Sequence, residues 1–134
     1  MYARLVEQFT GGHTDISVPP TPLNDEQQAF IRRMVIDELD ELKQAEGIVD
    51  QADVAVDIIY YLVDTFLRAG VNLDSLFTIV HEANMAKRFP DGEFHKENGK
   101  VIKPEGWAEN HAPERKMQKC IEIMAQAHAR RSAQ

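Results

Sequence analysis

A single cysteine, Cys120, excludes an intramolecular disulfide framework and suits a reducing compartment. No secretory apolar region or membrane span is present, since the apolar run around Ile58 to Leu67 is broken by Asp57, Asp64 and Arg68. The expected address is therefore the cytoplasm. No long basic run offsets the formal net charge of -7, which argues against nonspecific binding to nucleic acid or to an acidic membrane surface. A Gly-rich phosphate loop of the Walker type is missing, no Ser-His-Asp order can be argued, and Cys120 has no evident base partner. Chemistry through a covalent nucleophile loses its usual signatures. The Glu-x-x-His pairs of carboxylate di-iron bundles are also missing, which discounts a metal reading of His81 and Glu82. No internal repeat or low-complexity segment interrupts the chain.

What is present is helical periodicity over a 43% hydrophobic chain long enough for one domain with a real core. Residues 2–9 predict a short helix with Leu5, Val6 and Phe9 on one side, stopped by Gly11 and Gly12. An extended connection from His13 to Pro22 follows. Asn24, with Gln27 three residues on, has capping-box spacing and opens a long helix that Gly47 ends. A second long helix runs from about Asp50 to Ala69, with Gly70 as its stop. Asn72 caps a helix closed by Lys87 and Arg88, in which Leu73, Leu76, Phe77, Val80 and Asn84 follow the helical period. Asn98-Gly99 predicts a small hairpin between Glu93–Lys96 and Val101–Lys103, and the tail from Pro113 a final amphipathic helix.

The acids are what this pattern does not explain. At about 100° per residue, Ile31, Met34, Val35, Leu42 and Ala45 share one face of the first long helix. Glu38 falls among them, Glu41 lies at the edge of the arc with Asp37 just beyond, and Asp40 points to solvent. Glu38 and Glu41 are therefore expected to look inward. The second long helix is apolar over most of its circumference and leaves Asp50, Asp53, Asp57 and Asp64 on the remaining stripe. Packed antiparallel, the two helices bring carboxylates together with no lysine to neutralise them. Buried carboxylates are costly unless paired or bound to a cation, and hard divalent cations take oxygen ligands, so the expectation is an acidic Mg²⁺ site between two helices. The plainer alternatives are a helix start for Asp50 and Asp53, and a solvated acidic face for Glu38 and Glu41.

Four motifs in order carry a family resemblance: Asp37-Glu38-x-x-Glu41, Asp53-x-x-x-Asp57 followed by IIYYL, VHEANMAK, and DG…NGKVIKPEGW. Over roughly Ala29 to Trp107 the chain resembles the all-α nucleoside triphosphate pyrophosphohydrolases, a superfamily that includes MazG, the dimeric dUTPases and phosphoribosyl-ATP pyrophosphohydrolase. It looks most like the stand-alone MazG-like, or Cof-like, branch. The resemblance implies an all-α antiparallel bundle of four to five helices with a hairpin-like loop, forming one domain over 1–134 with its core at about 24–107 and a C-terminal helix at about 113–131. It implies a homodimer or dimer of dimers and Mg²⁺, with Mn²⁺ as a substitute. The implied reaction turns a nucleoside triphosphate into monophosphate and pyrophosphate in nucleotide-pool house-cleaning. Glu38, Glu41 and Asp57 match metal-binding acids, with Asp53 as the further metal candidate; Asn84 and Lys87 match residues near the phosphates, and Lys103 and Trp107 the closing segment. Many relatives place a Glu where this chain has Val54, and here the acid stands one residue earlier, at Asp53.

The chemistry suits these residues apart from the resemblance. Phosphoryl transfer needs charge neutralisation and an aligned nucleophile, and Asp37 or Glu41 is the candidate for orienting the attacking water. The rival class is a non-catalytic helical module whose acidic cleft binds a partner or senses a nucleotide. Tyr60, Tyr61 and Phe66 on the apolar second helix, with Met117, Ile121 and Met124 in the tail, give more apolar surface than one chain is expected to cover, hence an oligomer.

Overall fold

The computed structural model describes residues 1–9 and 18–134. It is all-α apart from one two-stranded hairpin. The stop at Gly11 and Gly12 and the part of the connection that begins at His13 lie outside the described residues. Two compact units are present, one of residues 1–74 with 124–134 and one of residues 75–123.

In the first unit, α1 (Tyr2–Phe9), α2 (Asp25–Leu42) and α3 (Gly47–Arg68) supply the framework. Asn24 starts α2 as its spacing predicts: its Oδ1 accepts the Gln27 N–H at 2.8 Å, and the Gln27 Oε1 accepts the Asn24 N–H at 2.9 Å. Helix α2 stops at Leu42, earlier than expected. The Gln44 and Ala45 amides both donate to the Glu41 carbonyl, and the chain turns through residues 43–46 into α3. Gly47 therefore opens α3 and does not close α2, so Asp50 lies in the first turn of that helix and not at its cap. Helix α3 packs on both α2 and α1. Ala3, Val6, Val63 and Leu67 form the buried cluster, with Leu73 against it. Leu5 and Phe9, expected on the inner side of α1, are exposed instead, because Ala3 and Val6 are the α1 residues that enter the buried cluster with α3.

Gly70 ends α3 in a left-handed turn. Its φ is +80°, its N–H donates to the Leu67 carbonyl, and the Val71 N–H reaches the Phe66 carbonyl at 2.8 Å. The Thr21 N–H donates to the Ala69 carbonyl beside it, which draws the segment at Val18 and Pro19 onto this turn.

The second unit takes most of α4 (Leu73–Met85), the strands β1 (Lys96–Glu97) and β2 (Lys100–Val101), the short α5 (Trp107–His111), and the first half of α6 (Glu114–Ser132). The Asn72 side chain caps α4 through the Asp74 N–H. The strands pair antiparallel, Lys96 opposite Val101 and Glu97 opposite Lys100. Asn98 and Gly99, at φ 50° and 76°, make the turn with two left-handed residues that a two-residue hairpin favours. Phe77, expected along the inner line of α4, is exposed at 72%, while Leu76 and Ala83 are the buried residues of that helix.

Candidate active site

Glu38 is the buried residue of α2, 8% exposed, among half-buried Ile31, Met34 and Val35. Its Oε2 is buried and has no hydrogen-bond partner among the described residues. Burial pushes its carboxyl above the ordinary 4.5, and the negative charges of Glu41, Asp57, Asp53 and Asp37 push in the same direction. Glu38 thus feels two acids of its own helix flanking it and two from α3. The inward place of Glu38 is the one the helical period predicts.

The surrounding acids are not equally sheltered. Glu41 is exposed, against the expectation of an inward side chain, and so is Leu42. Among the described residues α2 packs on α3, and the wider apolar arc of α2, which also carries Phe30, Ile36 and Leu39, is exposed. Asp53 is exposed and Asp57 half-buried. A cavity of about 490 Å³ is lined by Asp37, Asp40, Glu41, Gln44, Ala45, Asp50 and Asp53, with no basic residue in its wall among the described residues. Periodicity points Asp40 towards solvent. It is exposed, lies 3.6 Å from Lys43 Nζ, and still contributes to this acidic wall. Gln44 belongs to it too, and only the early end of α2 discloses that. Among the described residues, no three His, Cys, Asp or Glu side chains stand converged as they would around a bound ion.

In the second unit the other four singled-out residues form one constellation. Trp107 is buried, and its Nε1–H donates to the Ala83 carbonyl of α4 at 2.8 Å. Two ammonium groups lie over its ring, Lys103 at 4.8 Å and Lys87 at 5.1 Å from the centroid. Lys87 Nζ also donates to Asn84 Oδ1 at 2.7 Å. Asn84 is exposed, so the break it makes in the apolar line of α4 faces outward. Arg88 is engaged elsewhere, over the Phe94 ring at 4.3 Å and donating to the Gly92 carbonyl.

Phe9, Tyr60, Tyr61 and Val6 form a further cavity with Asp57 and Asp64 in its wall. Tyr60 and Tyr61 are expected from the sequence as surface for a partner chain, and Phe9 as an inner residue of α1. The spacing of Asp57, Tyr60 or Tyr61, and Asp64 on one helical face is the signal that locates it.

No helix of the described residues is long and apolar enough to cross a membrane. Neither the curated proteins nor the solved structures contain a match to this chain. A family model described as phosphoribosyl-ATP pyrophosphohydrolase matches residues 12–84, a span that holds the α2 and α3 acids and ends at Asn84. The chain belongs to the phosphoribosyl-ATP pyrophosphohydrolase family, within the all-α nucleoside triphosphate pyrophosphohydrolases, whose members are hydrolases acting on nucleotide-like substrates.

Proposed function

We propose that this protein is a Mg²⁺-dependent pyrophosphohydrolase that splits a nucleoside triphosphate into monophosphate and pyrophosphate. The observation that carries the reading is the buried, unpartnered oxygen of Glu38 within reach of four further carboxylates. A donor set made only of carboxylate oxygens, one of them buried without a hydrogen bond, fits a hard divalent cation and no softer one. Glu38, Glu41, Asp53 and Asp57 are the residues that would hold it. When bound, Mg²⁺ supplies charge neutralisation to the carboxylates and to the phosphates alike.

The chain's own residues do the rest. Asp37 or Glu41, both exposed to the acidic cavity, accepts a proton from the attacking water. The water oxygen forms a bond to phosphorus at the α–β anhydride, the bridging P–O bond breaks, and pyrophosphate leaves with the electron pair. Lys87 and Lys103 supply positive charge to the phosphates. Asn84 orients Lys87 through its 2.7 Å hydrogen bond, and the Trp107 ring holds both ammonium groups without neutralising them.

The working form is a homodimer, a reading supported by the apolar residues that α2 and α3 leave exposed, among them Phe30, Ile36, Leu39, Val56 and Ile59. Light scattering over a dilution series checks this: a monomer mass with full activity at micromolar concentration refutes it.

The test of the activity is pyrophosphate release from a nucleotide panel with Mg²⁺, with Mn²⁺ in its place, and with chelator. Release is expected with either metal, abolished by chelator and by Glu38→Ala; full activity in Glu38→Ala sinks the site. The family match favours one specific member of the panel, phosphoribosyl-ATP, which carries the same anhydride. A preference for it over simple nucleoside triphosphates would place the chain in biosynthesis and not in house-cleaning of the pool.

A further inference from the structure

The cavity beside α1 is built differently from the acidic one. It holds about 420 Å³, a volume in the range of small-molecule pockets, and its walls are Val6 and Phe9 of α1 with Tyr60 and Tyr61 of α3. Phe9 meets Tyr60 edge-on, with ring centroids 5.9 Å apart at 79°. Two carboxylates complete the lining, Asp57 and Asp64. Asp57 is one of the acids whose charge reaches Glu38, so this aromatic cavity borders the acidic cluster. Asp64 accepts from Arg68 Nε at 3.0 Å through Oδ2, while its Oδ1 is buried and has no donor among the described residues.

Resting on the nucleotide reading above, we propose that the Val6–Phe9–Tyr60–Tyr61 cavity seats the substrate's nucleobase, and that the Asp64 carboxylate, part of the cavity wall, reads it by accepting a ring or exocyclic N–H. Aromatic side chains stack on any base and confer little choice among bases. A carboxylate acceptor in the wall adds the choice, because a base that presents no N–H to it leaves it unpaired. The polyphosphate end does not belong here, for two carboxylates line the cavity and, among the described residues, no base does. A second copy of the chain is the poorer occupant for a related reason: interface cores are depleted of charge, and Asp57 and Asp64 both stand in this wall.

The experiment is steady-state pyrophosphate release from nucleotides bearing cytosine, uracil, thymine, adenine and guanine. The enzymes compared are wild type, Phe9→Ala, Tyr60→Ala, Tyr60→Phe and Asp64→Asn, each checked for fold by circular dichroism. Loss of an aromatic wall is expected to raise KM roughly tenfold for every base with kcat little changed, and Tyr60→Phe to restore it. Asp64→Asn is expected to reorder the bases, changing the kcat/KM ratio of the best to the worst by roughly tenfold or more. Wild-type hydrolysis with KM and base ratios unchanged in all variants overturns the cavity assignment and leaves the pyrophosphohydrolase reading standing. Absence of release from every nucleotide overturns that reading instead. Saturation-transfer NMR with the free nucleosides then decides the cavity: transfer to base protons that Tyr60→Ala abolishes supports it, and no transfer overturns it. If Tyr60→Ala splits an oligomer while Asp64→Asn leaves the base ratios alone, the aromatic wall is a contact between copies and the proposal fails.

Discussion

Replacing Trp107 by Phe tests the second unit at its anchor. The ring keeps its place between α4 and the closing segment, but the Nε1–H that satisfies the Ala83 carbonyl at 2.8 Å is lost, leaving a buried acceptor at a cost of about 1–3 kcal/mol. The smaller ring also holds Lys87 and Lys103 less well, and cation–π contacts at exposed sites contribute about 0.5–1 kcal/mol each to an indole, less to a phenyl. With some void left where the indole was, the loss comes to roughly 2–4 kcal/mol. An unfolding entropy near 2.1 cal/mol/K per residue makes each kcal/mol worth about 3.5 °C in a chain of 134 residues, so Tm should fall by about 7–14 °C. Thermal melting followed by circular dichroism measures this, because Trp107 is the sole tryptophan and its fluorescence disappears with it. The same variant lets both ammonium groups wander, which should raise the nucleotide KM more than it lowers kcat. A variant that melts within roughly 2 °C of wild type, with KM unchanged, would show that the ring neither holds the turn nor positions the lysines.

Glu38→Gln should make the metal-free protein more heat-resistant at neutral pH while abolishing hydrolysis. The folded-state pKa of Glu38 lies above its ordinary 4.5, so its carboxylate destabilises the fold as pH rises through that value and up to the folded pKa. The gain of the variant should therefore vanish in acid; a gain that persists below pH 4 would refute the assignment to this carboxyl. Lys87→Ala should raise KM or lower kcat while leaving the metal requirement alone, whereas Arg88→Ala, which loses the Gly92 carbonyl and the Phe94 ring, should lower Tm with little change in KM. Equal kinetic damage in both would mean a general charge effect. Gly70→Ala should destabilise by more than the roughly 1–2 kcal/mol of a left-handed residue, because the added Cβ meets the Val18 carbonyl oxygen and stands 2.7 Å and 2.8 Å from Pro19 C and O. A melting curve identical to wild type would disprove the close approach.

The local elements were legible from residues alone because their signals are local: the Asn24–Gln27 box, the Asn98-Gly99 turn, the Gly70 stop and the tail after Pro113 each act within a few residues. The inward place of Glu38 was legible as well, since a single polar residue amid Ile31, Met34 and Val35 has no outward direction to take. Periodicity did not locate the end of α2 or the true start of α3, because the residues of the 43–46 link carry no breaker until Gly47. Nor did it settle Glu41, Leu42 and Phe77. A helical wheel says which residues share a face and not how wide a strip of that face a neighbour covers, and among the described residues α2 is covered along α3. The convergence of Lys87 and Lys103 on the Trp107 ring, and the meeting of Phe9 with Tyr60, join residues of separate elements. Such pairs leave no periodic trace in the chain, because their distances are set by how helices pack, and only the tertiary structure decides them.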